Sequence, residues 1–278
     1  MKIFHVSKKG NDKNIGNEEY PFLSISKAAQ IMSAGDKVIV HEGVYREWVS
    51  PNYSGDNNNK RITYEAKEGE KVCIKGSEII KGWTQYKDSV WTVTLPNSFF
   101  GSYNPYAEPL QGDWLLEPSK YHLHTGEVYL NGKSFYETQS IEQVLNPEKR
   151  FTGPSIFWSN KKEYLLHPED SIYQWYCEAD EKETTIWANF HEYDPNTEEV
   201  EINVRPFCFF PKDIKRNYIT VRGFEIAQAA TQWAPPTTVQ SGIIGPNWAQ
   251  GWIIENNIIH DSKCSGIALG KERSTLQF

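Results

Sequence analysis

Little in these 278 residues suits a redox cofactor, a membrane or a nucleic acid. Only four cysteines are present, and Cys73, Cys177, Cys208 and Cys264 stand far apart with no C-x-x-C pair. That spacing argues for buried, reduced thiols rather than a metal knuckle or a disulfide framework. No run approaches the roughly 20 apolar residues of a membrane span. The N-terminus turns polar within a few residues, unlike a signal peptide, so a cytoplasmic location is expected. Positive charge is scarce: 29 Lys and Arg stand against 36 Asp and Glu, a net charge of −7. This disfavours nucleic acid, whose phosphates require a basic surface, and likewise anionic membranes and polyuronates. There is no P-loop, G-x-G-x-x-G or G-x-S-x-G motif.

Aromatic residues, by contrast, are plentiful: 10 Trp, 15 Tyr and 13 Phe. They are enough to build a real core, and flat rings are also what sugar-binding surfaces use.

Three segments follow from the patterning. In residues 1–78, Ile25, Ala28, Ala29 and Met32 share a helical face, with Ser24 as N-cap and Gly35 as the C′ stop. Short strand patterns then appear, with Val38 and Val40 matching Ile62 and Tyr64 at a spacing of 24 residues. In residues 205–278, Ile219, Val221, Phe224 and Ile226 match Trp252, Ile254, Asn257 and Ile259 at a spacing of 33. Gly223 and Asn257 are read as the matched corner residues, since Gly and Asn most readily take positive φ. Repeats of this length, strand–break–strand, predict a right-handed parallel β-helix with the Ser24 helix as its N-terminal cap. The extra length falls in one long loop, Gln228 to Gln250.

Residues 79–204 are different. Val128–Tyr136 is a hairpin pattern around Asn131-Gly132, and Thr184, Ile186, Ala188 and Phe190 alternate with period two. These predict an antiparallel β-sandwich inserted into the β-helix, with Trp83, Trp91, Trp158, Trp175 and Trp187 in its core. No capping element is visible after Gly270, so the last coil is expected to be truncated, and to self-associate or meet a C-terminal partner.

Several stretches together carry a family resemblance. They are Pro21–Ala29, Gly35–Glu47, Gly112-Asp113-Trp114-Leu115-Leu116, Trp233-Ala234-Pro235-Pro236, Gly245-Pro246-Asn247-Trp248 and Gly251–Asp261. The chain resembles the N-terminal part of the glycoside hydrolase family 120 β-xylosidases, over essentially its whole length. The resemblance implies a pectate-lyase-like β-helix with an intervening sandwich, and a retaining exo-β-xylosidase acting on short xylo-oligosaccharides. It implies that Trp114 forms a wall of the sugar pocket. It also implies that the nucleophilic Asp and the acid/base Glu lie C-terminal to Phe278, so no catalytic residue is assigned here.

Retaining hydrolysis needs two carboxyl groups about 5–5.5 Å apart. Coils stacked about 4.8 Å apart bring equivalent positions close to that distance. Glu225, Glu255, Asp261 and Glu272 are the in-chain acids to consider. Glu225 and Glu255 are read as solvated turn carboxylates, whereas Asp261 and Glu272 are placed along the substrate cleft. Trp233 and Trp248, on the Pro-stiffened long loop, are candidates for stacking on a pyranose face, with interdomain packing an equal alternative. His122 and His124 would face the same way on a strand, but no third ligand is visible nearby, so no metal ligand is assigned. No cofactor is implied, and a structural calcium is the one ion left open. Two other readings remain: a non-catalytic carbohydrate-binding or assembly module, and a β-helix polysaccharide lyase, which the net charge disfavours.

Overall fold

The computed structural model describes residues 1–111, 122–155, 159–233 and 241–269. The chain is mostly β and forms two compact units, Met1–Gly76 with Arg205–Phe278, and Ser77–Val204.

In chain order, the first unit begins with β1 (Ile3–Val6), helix α1 (Ile25–Ala29), β2 (Lys37–Val40), β3 (Gly43–Arg46), β4 (Ile62–Ala66) and β5 (Val72–Lys75). The second unit contributes β6 (Ser77–Ile79), β7 (Thr84–Lys87), β8 (Val90–Pro96), β9 (Val128–Leu130), β10 (Lys133–Ser134) and β11 (Tyr136–Glu137). It continues through helix α2 (Ile141–Leu145), β12 (Thr152–Ser155), β13 (Lys162–Tyr164), β14 (Gln174–Ala179), β15 (Glu183–Asn189) and β16 (Val200–Asn203). The chain then returns to the first unit with β17 (Ile219–Arg222), β18 (Glu225–Ala229), β19 (Ile253–Glu255) and β20 (Ile258–Ser262).

Three parallel ladders organise the first unit. The first is a five-stranded sheet in the order β1-β2-β4-β17-β19, and the second a four-stranded sheet in the order β20-β18-β5-β3. The third consists of single bridged positions, Val49, Phe209, Ile244 and Ile267, each parallel to the next. Each turn of the chain therefore visits the three ladders in order, for example β17, then β18, then Ile244. The second unit departs between β5 and Phe209, after a turn's second ladder and before its third. Val38, Tyr64 and Val221 on the first ladder, Tyr45, Ile74 and Ile226 on the second, and Val49, Phe209 and Ile244 on the third all join one buried core.

Register differs from the sequence reading in two places. Val38 pairs with Tyr64 and Val40 with Ala66, a spacing of 26 rather than 24. A slip of two residues leaves every side chain on its own face, so the apolar pattern cannot detect it. At the later corner the residue equivalent to Gly223 is Asn256, not Asn257: Gly223 has φ 82° and Asn256 φ 54°. Asn257 has a different task, accepting from the Phe224 N–H and donating to the Val221 carbonyl, both at 3.0 Å. Helix α1 has the expected cap, with Ser24 Oγ accepting from the Lys27 N–H at 3.1 Å, and it buries Ile25, Ala28 and Ala29, with Met32 buried just beyond its end. It ends at Gln30, so Gly35, at φ 90°, belongs to the following turn.

The second unit has a four-stranded sheet, β10-β9-β16-β6, and a five-stranded sheet, β11-β14-β15-β8-β7. Val128, Leu130 and Ile202 of the first meet Val93, Trp175, Ile186 and Ala188 of the second in one core. The Asn131-Gly132 turn has φ of 51° and 82°, the positive pair that a type I′ hairpin needs. β11 runs parallel to β14, whereas every other pairing in its sheet is antiparallel. Trp83 and Trp175 are buried and Trp91 packs against the core. Trp187 is a correction, for it neighbours buried Ile186 on the opposite face, where it stacks on Tyr176 at 5.9 Å. Trp158 lies outside the described residues.

Candidate functional site

Alternation along the ladders decides which acids reach solvent. On the outer face of the first ladder, Glu65, Arg222 and Glu255 stand in register on adjacent strands. Arg222 reaches Glu65 at 2.8 Å and Glu255 at 3.5 Å, and Lys37 pairs with Glu65 from the other side. Burial opposes ionisation of Glu65, but hydrogen bonds from Lys37 and Arg222 outweigh it and hold the carboxyl below the ordinary glutamate range. Glu255, read from sequence as a solvated turn acid, is thus a strand residue in an ion-pair row.

The second ladder carries the denser cluster. Glu225 lies opposite Cys73 on one side and Ile258 on the other. Its carboxylate is 3.3 Å from Lys71 Nζ and 3.3 Å from His260 Nε2. The other ring nitrogen, His260 Nδ1, is 2.7 Å from Asp261 Oδ2. Burial alone would raise the Glu225 pKa, but Lys71 and His260 pull it below the usual range. Beneath it, the Cys73 thiol is pushed up to about 12, first by burial and then by the Glu225 charge. A retaining pair requires one carboxyl held protonated. Here both acids converge on one imidazole, and the Lys71 and His260 contacts favour the ionised form of Glu225. The cluster can therefore accept hydrogen bonds from hydroxyl groups.

The sequence treated His260-Asp261 as mere neighbours and missed Lys71. The 33-residue spacing was the available signal. It places Ile258 beside Glu225, and His260 two residues further along the same face.

Asp261 sits at a left-handed position, φ 50°, and Gln228, its counterpart one turn earlier, has φ 61°. Just past this corner, Thr231 Oγ1 is 2.8 Å from Ser262 Oγ and accepts from the Cys264 N–H at 2.8 Å. Trp233 follows two residues later, partly buried. Trp248 is elsewhere. Ile243 and Ile244 are fully buried and Ile244 occupies the third ladder, so Gln228–Gln250 is two loops and not one. Trp248, partly buried at φ 60°, follows Ile244 at the turn leading back to β19. There Asn247 Nδ2 donates to the Pro211 carbonyl at 2.9 Å. Trp233 and Trp248 therefore follow different ladders, Trp233 after β18 and Trp248 after Ile244. Trp114, Glu272, Pro235 and Pro236 lie outside the described residues.

The sequence profile of the glycoside hydrolase family 120 insertion domain matches residues 80–202. That match and the structural neighbour below support the reading of the chain as a portion of a glycoside hydrolase family 120 protein. The neighbour is described as the complex structure of XylC with xylose. It is 54% identical, superposes with a TM-score of 0.92, and is matched over 96% of this chain and 41% of its own. A second structure, described as a glycoside hydrolase, shares the fold at 13% identity and a TM-score of 0.51, over 84% of this chain and 51% of its own. The uncharacterized protein YwoF of Bacillus subtilis (strain 168) is 36% identical over 75 residues, 27% of this chain and 16% of its own length. The chain thus spans well under two thirds of each of these proteins.

Proposed function

We propose that the chain forms coils of a right-handed parallel β-helix, interrupted by a β-sandwich, within a retaining exo-β-xylosidase that acts on short xylo-oligosaccharides. The observation that carries this reading is the 54% identity, over 96% of the chain, to a protein solved with xylose. The three parallel ladders support the β-helix part, because a chain visiting each ladder once per turn coils about a common core. Trp233, Trp248 and Trp114 supply flat rings for stacking on pyranose faces, and Asp261 and Glu272 accept sugar hydroxyls. The nucleophile and the acid come from residues outside this sequence. In support, the carboxylates of Glu65, Glu225, Glu255 and Asp261 are all engaged by cations or by an imidazole.

The test is hydrolysis of an aryl β-xyloside by this chain, and by this chain joined to the remainder of the XylC polypeptide. The chain alone is expected to be inert, and the joined protein to release β-configured xylose. Turnover by the chain alone at an enzyme-like rate would put the acid pair inside these residues. An α-configured product from the joined protein would rule out retention.

A further inference from the structure

We propose that His124, Glu137 and Cys177, all in the second unit, form a binding site for a borderline-soft divalent metal ion, Zn2+ above all. Their donor atoms lie within 4.8 Å of one another. His124 Nδ1 is 2.6 Å from Glu137 Oε1 and 3.8 Å from Cys177 Sγ. The sequence considered His124 only with His122, two residues away. The true neighbours come from two other strands.

Topology assembles the trio. β11 runs parallel to β14 with Glu137 opposite Trp175, and Cys177 is two residues further along β14. Period two therefore turns Glu137 and Cys177 to the same face, the one that buries Trp175. His124 arrives on a segment bridged to Pro109, and its own N–H donates to both Glu137 oxygens, at 3.2 and 2.9 Å. That backbone contact orients the carboxylate, as outer contacts do in metal sites. The Glu137 side chain is 4% exposed and Cys177 is 5% exposed, while the His124 side chain retains 23%. The imidazole edge is thus the way in from solvent.

The geometry separates this reading from a nucleophilic one. A Cys–His–acid relay needs the acid on one ring nitrogen and the sulfur on the other. Here the same nitrogen, Nδ1, faces both partners, so three donors converge on one point. Tetrahedral Zn2+, with bonds of about 2.0–2.3 Å, sets its donors about 3.3–3.6 Å apart. From the present distances the 2.6 Å His–Glu contact opens slightly and the 3.8 Å sulfur contact to His124 closes slightly, with Glu137 and Cys177 already within 4.8 Å. One nitrogen, one oxygen and one sulfur suit Zn2+ or Co2+, whereas Ca2+ and Mg2+ take oxygen sets. Binding displaces two protons, the thiol proton and the one shared between His124 Nδ1 and Glu137 Oε1. The thiol proton goes to solvent, the imidazole ligates as the Nε2–H tautomer or passes its second proton to solvent, and a metal–thiolate bond forms with a fourth position for water. The ion would clip the His124 segment to β11 and β14. By contrast, His167, Glu169 and Asp170, another close trio, share a single short turn and lack sulfur.

The experiment uses the full chain, stripped with a chelator under reducing conditions and titrated with Co2+. The expected result is saturation at one equivalent with a near-ultraviolet thiolate-to-cobalt band, lost on adding Zn2+. Cys177→Ser removes the band, and His124→Gln weakens Co2+ binding at least tenfold. Cys264→Ser, at the least buried of the cysteines, leaves both unchanged. Because Cys177 is buried, the His124→Gln result stands as an independent arm if the serine variant fails to fold. Absence of a saturable band, a band that survives Cys177→Ser, or unchanged affinity in His124→Gln overturns the proposal.

Discussion

Val221 and Ile254 lie directly opposite each other in parallel register, one turn of the chain apart. That pairing is locked by Asn257, whose side chain spans the corner from the Val221 carbonyl to the Phe224 N–H. Between those two groups sits Gly223, in a conformation that L side chains rarely adopt.

Asn257→Ala removes both hydrogen bonds and leaves two part-buried backbone groups unmatched, at a cost of about 1–3 kcal/mol. Gly223→Ala adds strain at φ +82° and sets a new Cβ 3.2 Å from the Ala66 Cβ. Both variants are expected to lower the urea midpoint without changing the slope, and Asn257→Gly is not expected to rescue it. An unchanged midpoint for Asn257→Ala would mean that the corner is held by other contacts.

Acid should loosen the first ladder. Glu65 has its pKa depressed in the folded state, despite burial, by Lys37 and Arg222. Its contribution is therefore present above the unfolded-state value and is lost as pH falls through the lower folded value. For an ordinary glutamate near about 4.3, the loss begins below about pH 5. Arg222 is 41% exposed, so the row is solvent-screened and Glu65→Gln should cost about 1 kcal/mol or less at pH 7. The expected signature is a shallower fall in stability between pH 5 and 3 for Glu65→Gln than for the parent, followed by equilibrium unfolding.

Association should follow from the last described turn. Ile253 is 39% exposed on the edge strand β19 and Ile258 66% exposed on the edge strand β20, and Ile267 (50%) and Leu269 (72%) follow them in the chain. Exposed edges of this kind pair with other chains. The chain is expected to show concentration-dependent growth in light scattering, reduced by Ile258→Lys. A monomer that persists at high concentration would show that these side chains do not drive contact.

Strand identity was largely legible in the residues. Alternation at Thr184, Ile186, Ala188 and Phe190 marked a strand whose inward side chains are all fully buried. Asn131-Gly132 announced its turn, and Ser24 its cap. The candidate site was far less legible. Trp233 and Trp248 were grouped on one loop by chain proximity alone, whereas Trp233 follows β18 and Trp248 follows Ile244. A buried isoleucine pair, Ile243 and Ile244, divides that loop, and two apolar residues are too short a run to announce a third ladder.

What the amino-acid sequence determined by itself is local: which side chains point inward, where turns reverse, and that two segments repeat at a fixed spacing. These depend on neighbours within a few residues, so composition and periodicity carry them. Register, ion-pair choice and the meeting of His124, Glu137 and Cys177 were decided only by the folded chain. A pattern of period two is unchanged by a slip of two, and which charges or donors meet across a ladder depends on how many residues each turn consumes before returning to it.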